Sequence, residues 1–115
     1  MSLDLKDKIS TFINDFNKVN TNGTKLVAVS KKKTFDDIKV ANQVGLIDFG
    51  ENYPQELRDK NLHARSENLN LNWHFIGRIQ KNKIKYIVGT CDLIHSIDSL
   101  DILKLINEYS EKNNI

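Results

Sequence analysis

The chain has 115 residues, of which 39% are hydrophobic and 28% charged, which is typical of one globular domain spanning residues 1–115. Its formal net charge of +2 is too small to indicate a nucleic-acid-binding protein without a concentrated basic patch. No apolar run approaches the roughly 20 residues that cross a bilayer, and residues 1–10 lack the apolar region of a signal peptide. We therefore expect a cytoplasmic protein with no membrane or nucleic-acid partner.

Cys91 is the single cysteine, so neither an internal disulfide nor a cysteine-based metal cluster can form. A lone thiol suits a reducing compartment, and its simplest role is that of a small buried apolar side chain. We expect no metal site.

The amino-terminal segment predicts an amphipathic helix over residues 3–19. Apolar side chains recur there at intervals of three and four residues, at Leu3, Leu5, Ile9, Phe12, Ile13, Phe16 and Val19. Residues 20–24 have turn composition, and residues 25–30 are typical of a buried parallel strand. That strand runs directly into Lys31, Lys32 and Lys33.

Further strands and helices alternate along the rest of the chain. The predicted strands cover residues 46–49, 72–76 and 92–95, and the predicted helices cover residues 35–44, 51–60, 79–88 and 100–109. Thr34 is a candidate N-cap, as is Asp98 or Ser99, while Gly45 is expected to stop a helix and Gly50 to close a strand. Residues 61–70 are polar and predict a surface loop.

One helix followed by four strand-helix units predicts an α/β fold with a parallel sheet and right-handed crossovers. Four such units could form a small open sheet or half of an eight-stranded barrel. Periodicity leaves both open.

The lysine cluster follows the strand at its carboxyl end, where ligands bind in α/β folds. Side chains alternate across a strand, so Val27, Val29 and Lys31 share one face while Lys32 points away. Among apolar neighbours the pKa of a lysine falls, and its neutral amine can then attack an aldehyde. Alternatively, the three lysines simply end a strand and keep a loop solvated.

Four segments together carry a family resemblance. They are Ala28-Val29-Ser30-Lys31, Phe49-Gly50-Glu51-Asn52-Tyr53 with Gln55-Glu56, Trp73-His74-Phe75-Ile76-Gly77 followed by Gln80, Asn82 and Lys83, and Asp92-Leu93-Ile94-His95-Ser96-Ile97-Asp98-Ser99. In this order and spacing they resemble the pyridoxal phosphate homeostasis protein family, relatives of the amino-terminal barrel domain of alanine racemase. The resemblance implies the first half of a (β/α)8 barrel of the TIM type, in which Lys31 holds pyridoxal 5'-phosphate as an imine (a Schiff base).

The resemblance implies three further cofactor-binding residues. Asn52 would lie near the ring or the phenolic oxygen of the cofactor, although it could instead cap the following helix. His74 would face the barrel interior, where a hydrogen-bonded core histidine is the alternative. Ser96 ends the fourth strand, among a barrel's functional loops, and could equally be a cap or make a core hydrogen bond.

The length of the chain departs from the family, whose members are about twice as long, as expected for a barrel of roughly 250 residues or somewhat fewer. Barrel phosphate sites are typically built by loops after the seventh and eighth strands, which this chain lacks. The chain would therefore be truncated and need a partner, either a second copy or a complementary C-terminal half.

The implied function is that of a non-catalytic protein that binds pyridoxal 5'-phosphate in its intracellular homeostasis. The alternatives are a fragment of a racemase-type enzyme that acts on amino acids with this cofactor, or a truncated chain without cofactor binding. Racemase chemistry needs a second acid or base opposite the lysine, and the sequence offers no candidate. A binder of anionic surfaces using the lysines is disfavoured by the nearly balanced charge.

Overall fold

The computed structural model describes residues 2–115, with side chains from residue 4 onward. The described elements are α1 (Ser2–Val19), β1 (Ala28–Val29), α2 (Phe35–Gln43), β2 (Asp48–Glu51), α3 (Pro54–Ser66), β3 (Asn72–Phe75), α4 (Ile84–Ile87), β4 (Leu93–Ile94) and α5 (Leu100–Lys112). A short 3-10 turn, Lys81–Lys83, leads into α4. The predicted order of one helix and four strand-helix units is confirmed.

The four strands form one parallel sheet in the order β1-β2-β3-β4. Val29 pairs with Gly50, Gly50 with His74, and His74 with Leu93, so one row of residues crosses the whole sheet. Because the strands are parallel, their carboxyl ends lie along one edge. The loops that carry Lys31, Asn52 and Ser96 therefore share that edge.

The helices cover one face of the sheet. A single cluster of buried apolar residues joins that face to α2, α3, α4 and α5: Ile38, Ala41, Phe49, Leu57, Ala64, Leu71, Trp73, Phe75, Ile79, Ile84, Ile87 and Ile102. Phe49, Trp73 and Phe75 are the large side chains that the sheet contributes. We call the side of the sheet that bears these three aromatic residues the helix face.

The helix α1 packs against α2 and reaches the core through Ile9. The predicted apolar stripe of this helix is only partly buried, since Phe12 and Val19 are exposed. The side chain of Leu3 lies outside the described ones.

The second strand differs from its prediction by two residues, because Gly50 lies inside β2 instead of closing it. Glycine usually weakens a strand, but here the missing side chain leaves room for two neighbours. A Cβ atom at Gly50 would contact Ile76 Cδ1 at 3.1 Å and Val27 Cγ1 at 3.4 Å. Close packing across the sheet thus explains the glycine.

The third helix begins and ends later than predicted. Pro54 occupies its first turn, where proline is tolerated, and the helix continues to Ser66 through most of the predicted loop. Its inward residues are Leu57, Lys60 and Ala64, of which one is charged. Periodicity underestimated this helix because a lysine holds a buried position that normally signals an apolar side chain.

The outer strands and α4 are shorter than predicted. β1 and β4 each have hydrogen-bonded neighbours on one side of the sheet, so pairing defines only two residues in each. The predicted caps are confirmed: Thr34 accepts a hydrogen bond from Asp37 N–H, and Ser99 accepts one from Ile102 N–H.

The close approach of the loops after β2 and β3 gives a first prediction. A Cβ atom at Gly77 would overlap the backbone carbonyl of Asn52. We expect Gly77→Ala to reduce the free energy of unfolding by about 1–3 kcal/mol, because backbone must move to relieve the overlap. Urea denaturation measures this loss.

The matched control is Gly50→Ala, whose Cβ would contact only the movable side chains of Ile76 and Val27. We expect a smaller loss there. Equal losses for the two variants would contradict the close packing inferred at Gly77.

Candidate functional site

The side of the sheet opposite the helix face carries Val29, Gly50, His74 and Leu93, and we call it the open face. Val29 is 53% exposed and Leu93 is 51% exposed, although both lie in strands of the sheet. No described element of residues 2–115 covers these side chains. The open face is therefore exposed at its outer strands, whereas Gly50 and His74 at its centre are buried.

Lys31 lies one residue beyond Ser30 at the carboxyl end of β1, and its side chain is exposed. The Lys32 ammonium instead lies 5.7 Å from the centroid of the Tyr53 ring. Both lysines lie in a turn that follows β1, so the prediction that Lys31 continues the face of Val29 stays a prediction. The apolar surroundings expected for the Lys31 amine are not provided by residues 2–115.

Asn52 follows β2 at the position that corresponds to Lys31, because each is two residues beyond the paired Val29 and Gly50. Its side-chain oxygen is buried and has no hydrogen-bond partner among the described residues. The N-cap of α3 is Tyr53, so Asn52 does not fill the alternative role of a helix cap. A buried acceptor oxygen without a partner is the kind of group that a hydrogen-bond donor of a ligand can satisfy.

His74 lies in the middle of a hydrogen-bonded chain on the open face. Its Nε2 is 2.9 Å from Asp48 Oδ1, and its Nδ1 is 2.9 Å from His95 Nε2. An ionised Asp48 only accepts, so a neutral His74 donates through Nε2 and accepts from His95 through Nδ1. Both ring nitrogens of this buried histidine therefore have protein partners.

The charge of Asp48 is supported by its neighbours. Burial acts to raise the pKa of Asp48, but the contacts with His74 and Asn72 and the charge of Lys25 outweigh it, so the pKa lies below its ordinary value. Lys25 Nζ lies 3.7 Å from Asp48 Oδ1. Asp48 is thus the carboxylate that ends the hydrogen-bonded series of Asp48, His74 and His95.

Ser96 follows β4, and its hydroxyl donates a hydrogen bond to the backbone carbonyl of Gly77. Gly77 in turn lies against the backbone of Asn52. The loops after β2, β3 and β4 are therefore connected to one another. Ser96 lies at the same edge as Lys31 and Asn52, with its hydroxyl already engaged.

Two groups of functional interest escaped sequence reasoning. The first is Asp48, whose signal is a carboxylate inside an otherwise apolar strand. The second is a polar cluster on the helix face beneath Lys31, formed by Ser30, Glu51, Glu56 and Lys60, which we call the Lys60 cluster. Glu56 and Lys60 are four residues apart in the sequence, but this spacing is equally typical of a solvent-exposed ion pair on a helix.

Glu51 is the most deeply buried member of the Lys60 cluster, with 0% of its surface exposed. Burial raises the pKa of Glu51, opposed by hydrogen bonds from Ser30 and Lys60. Its Oε1 atom has no hydrogen-bond partner among the described residues. A buried carboxylate in this position needs its cationic partner.

Other features of the described residues give no second site. Burial raises the pKa of Cys91 to about 11, in keeping with a structural thiol. Among the described residues, no group of histidine, cysteine and carboxylate side chains could hold a metal ion. None of the described helices has both the length and the apolarity needed to cross a membrane.

The chain of Asp48, His74 and His95 gives a pH-dependent prediction. Asp48→Asn should lower the free energy of unfolding at neutral pH by about 1–2 kcal/mol, because a neutral amide is a weaker acceptor for the buried His74 N–H. The lowered pKa means that the stabilisation by Asp48 is present above its ordinary pKa of 3.8 and is lost as pH falls further. Chemical denaturation across this range measures the difference between wild type and variant.

The difference should close below pH 3.8. Asp15→Asn, on the exposed side of α1, is the control and should leave stability nearly unchanged throughout. A difference for Asp48→Asn that persists undiminished in acid would contradict an ionised Asp48 as its cause.

Comparison with known proteins was made by sequence and by structure. A pyridoxal phosphate homeostasis protein of Buchnera aphidicola subsp. Schizaphis graminum is 41% identical over 108 residues, covering 94% of this chain and 46% of the relative. The protein of the same name from Haemophilus influenzae is 38% identical over 109 residues, covering 95% and 46%. The chain spans about half the length of the curated relatives it matches. No family model matches the chain.

Among solved structures, PipY of Synechococcus elongatus with PLP bound superposes with a TM-score of 0.85 at 28% identity, covering 92% of this chain and 50% of PipY. A protein from Bifidobacterium adolescentis has the same TM-score at 21% identity, covering 99% of this chain and 52% of that one, and supports the fold alone. The four parallel strands with their helices thus correspond to half of a TIM-type barrel. Over this half, the chain is similar to the pyridoxal phosphate homeostasis proteins.

Proposed function

We propose that the chain binds pyridoxal 5'-phosphate (PLP) and takes part in its intracellular homeostasis, with the cofactor held covalently on Lys31. The observation that carries the proposal is an exposed primary amine after β1 together with the unpartnered buried side-chain oxygen of Asn52 after β2. The names of the relatives and the PLP bound to PipY support it.

The residues at this edge fit the chemistry of PLP. The cofactor supplies an aldehyde, which condenses with a primary amine, and Lys31 offers that amine without a competing ion pair among the described residues. Asn52 offers an amide to a polar substituent of the ring. Val29 and Leu93 provide apolar surface on the open face.

Two further residues have proposed roles in cofactor binding. His74 is held rigidly by Asp48 and His95, so it can form a fixed floor beneath a ligand on the open face. Ser96 ties its loop to Gly77 and so keeps the edge of the site in place. Both roles orient the cofactor, whereas Lys31 holds it.

We propose a carrier or regulatory role without catalysis. Relatives named as homeostasis proteins support this over the alternative of a racemase-type fragment. An assay of alanine racemisation with PLP present distinguishes the two. Turnover that depends on Lys31 would favour the enzyme.

The site test compares wild type, Lys31→Ala and the matched control Lys33→Ala. Each is titrated with PLP while the imine absorbance is followed, and the adduct is trapped with borohydride and mapped by peptide analysis. We expect an adduct on Lys31 that is lost in Lys31→Ala and retained in Lys33→Ala, since Lys31 is the lysine proposed to hold the cofactor.

Weak labelling spread evenly over Lys31, Lys32 and Lys33 would contradict the proposal. It would favour the alternative of a truncated chain without a cofactor site.

We further propose that residues 1–115 form one partial domain that is completed by other β/α units, either from a second copy or from a complementary C-terminal half. The exposed Val29 and Leu93 and the free edges of β1 and β4 in the described sheet support this, because exposed strand edges and apolar faces favour association.

Sedimentation equilibrium measures the mass in solution. A mass of twice 13.3 kDa is expected if a second copy closes the sheet. A mass of 13.3 kDa at all concentrations would exclude the second copy and favour a complementary half.

A further inference from the structure

The Lys60 cluster lies directly beneath the turn that carries Lys31. Lys60 is 8% exposed although it is a lysine on a helix, and it extends from α3 toward the carboxyl end of β1. Its ammonium group donates to Ser30 O at 2.6 Å, to Glu51 Oε2 at 2.9 Å and to Glu56 Oε2 at 2.7 Å. An ammonium has three hydrogens, so its hydrogen-bonding capacity is filled.

The cluster forms hydrogen bonds with the backbone on both sides of Lys31. On one side, the carbonyl of Ser30 accepts from Lys60 and also from Lys33 N–H at 3.0 Å, which closes a four-residue turn. On the other side, Lys32 N–H donates to Glu56 Oε2 at 2.7 Å. The residue between these two anchors is Lys31.

The turn adopts a backbone conformation that needs such support. Lys32 has φ of 59°, in the left-handed region that favours glycine. Its N–H is the group that Glu56 binds, and its side chain lies over the ring of Tyr53. External contacts therefore hold in place a turn that the local sequence does not favour.

The cluster also leaves the Lys31 amine unpaired among the described residues. Glu51 accepts a hydrogen bond from the Ser30 hydroxyl and Glu56 accepts one from Lys32 N–H, and both carboxylates are bound by Lys60. A second lysine thus occupies the anions that could otherwise attract Lys31. An amine that must react with an aldehyde needs this freedom.

Stability alone is a weak explanation for the cluster. Buried ion pairs are often no more stabilising than apolar residues of similar volume, because removing charges from water opposes their attraction. Here the buried charges converge on the backbone atoms of Ser30 and Lys32. That convergence favours a role in holding geometry.

We propose that Glu56 and Lys60, supported by Glu51, are positioning residues that fix the turn around Lys31 and direct its amine to the cofactor. The inference rests on the proposed function of Lys31. It adds residues on the opposite face of the sheet to a site otherwise built on the open face.

The test replaces Glu56, whose side chain is 24% exposed and whose loss leaves Lys60 with Glu51 and Ser30 as partners. Glu56→Ala is compared with Glu56→Gln, which keeps an oxygen acceptor, and with the control Glu67→Ala. Glu67 pairs with Lys39 at 2.7 Å and His63 at 2.8 Å, just past the end of α3. The control thus removes a carboxylate that lies away from the turn and whose ion pairs have lengths similar to that between Glu56 and Lys60.

The first readout is the distribution of borohydride-trapped PLP label among Lys31, Lys32 and Lys33, measured on protein shown to be folded by circular dichroism. In Glu56→Ala we expect the ratio of Lys31 label to the other two to fall about tenfold, equivalent to about 1.4 kcal/mol. Glu56→Gln should retain most of the wild-type ratio, and Glu67→Ala all of it. A ratio unchanged in Glu56→Ala would overturn the inference.

The second readout needs no cofactor and separates this inference from the proposed function. Amide hydrogen exchange measured by NMR should show Lys32 N–H protected in wild type and about tenfold less protected in Glu56→Ala, equivalent to about 1.4 kcal/mol. Unprotected Lys32 in wild type would overturn the positioning role. A different outcome is that Lys32 N–H is protected in wild type but the PLP label shows no preference for Lys31. That outcome would overturn the proposed function of Lys31, and with it the proposal that the turn directs the Lys31 amine to PLP.

Discussion

The parallel pairing of the four strands is the constraint on which the rest of the structure depends. It aligns Val29, Gly50, His74 and Leu93 in one row and brings the carboxyl ends of all strands to one edge. Residues that are far apart in the chain become neighbours there, because every strand ends in the same direction. A site at this edge is a consequence of the topology before any side chain is considered.

The two faces of the sheet have different surroundings. Helices cover the helix face, where aromatic side chains dominate, whereas the open face combines the exposed Val29 and Leu93 with the hydrogen-bonded His74. Family members are about twice the length of this chain, and in a closed barrel such a face becomes the interior. Among the described residues, the open face leaves Val29 and Leu93 exposed.

Each face also contains one polar system with a buried carboxylate. On the open face, Asp48 orients His74 through a direct hydrogen bond, and on the helix face, Glu51 binds Lys60. The neighbours of Asp48 keep its charge favourable, whereas the charge of Glu51 is opposed by deeper burial. The second system therefore depends more strongly on its cationic partner, and that partner also holds the turn beside Lys31.

The sequence by itself determined the alternation of strands and helices, the caps at Thr34 and Ser99, and the resemblance to pyridoxal phosphate homeostasis proteins, because these depend on local periodicity and short motifs. Only the tertiary structure decided that Gly50 lies within β2, that α3 continues to Ser66, and that Lys60 is buried. Each of these depends on a neighbour distant in the chain: Ile76 beside the glycine, the core beneath the helix, and Ser30 at the lysine. Local pattern assigns a charged residue to solvent, and only the packing of α3 against the end of β1 shows that this one is enclosed.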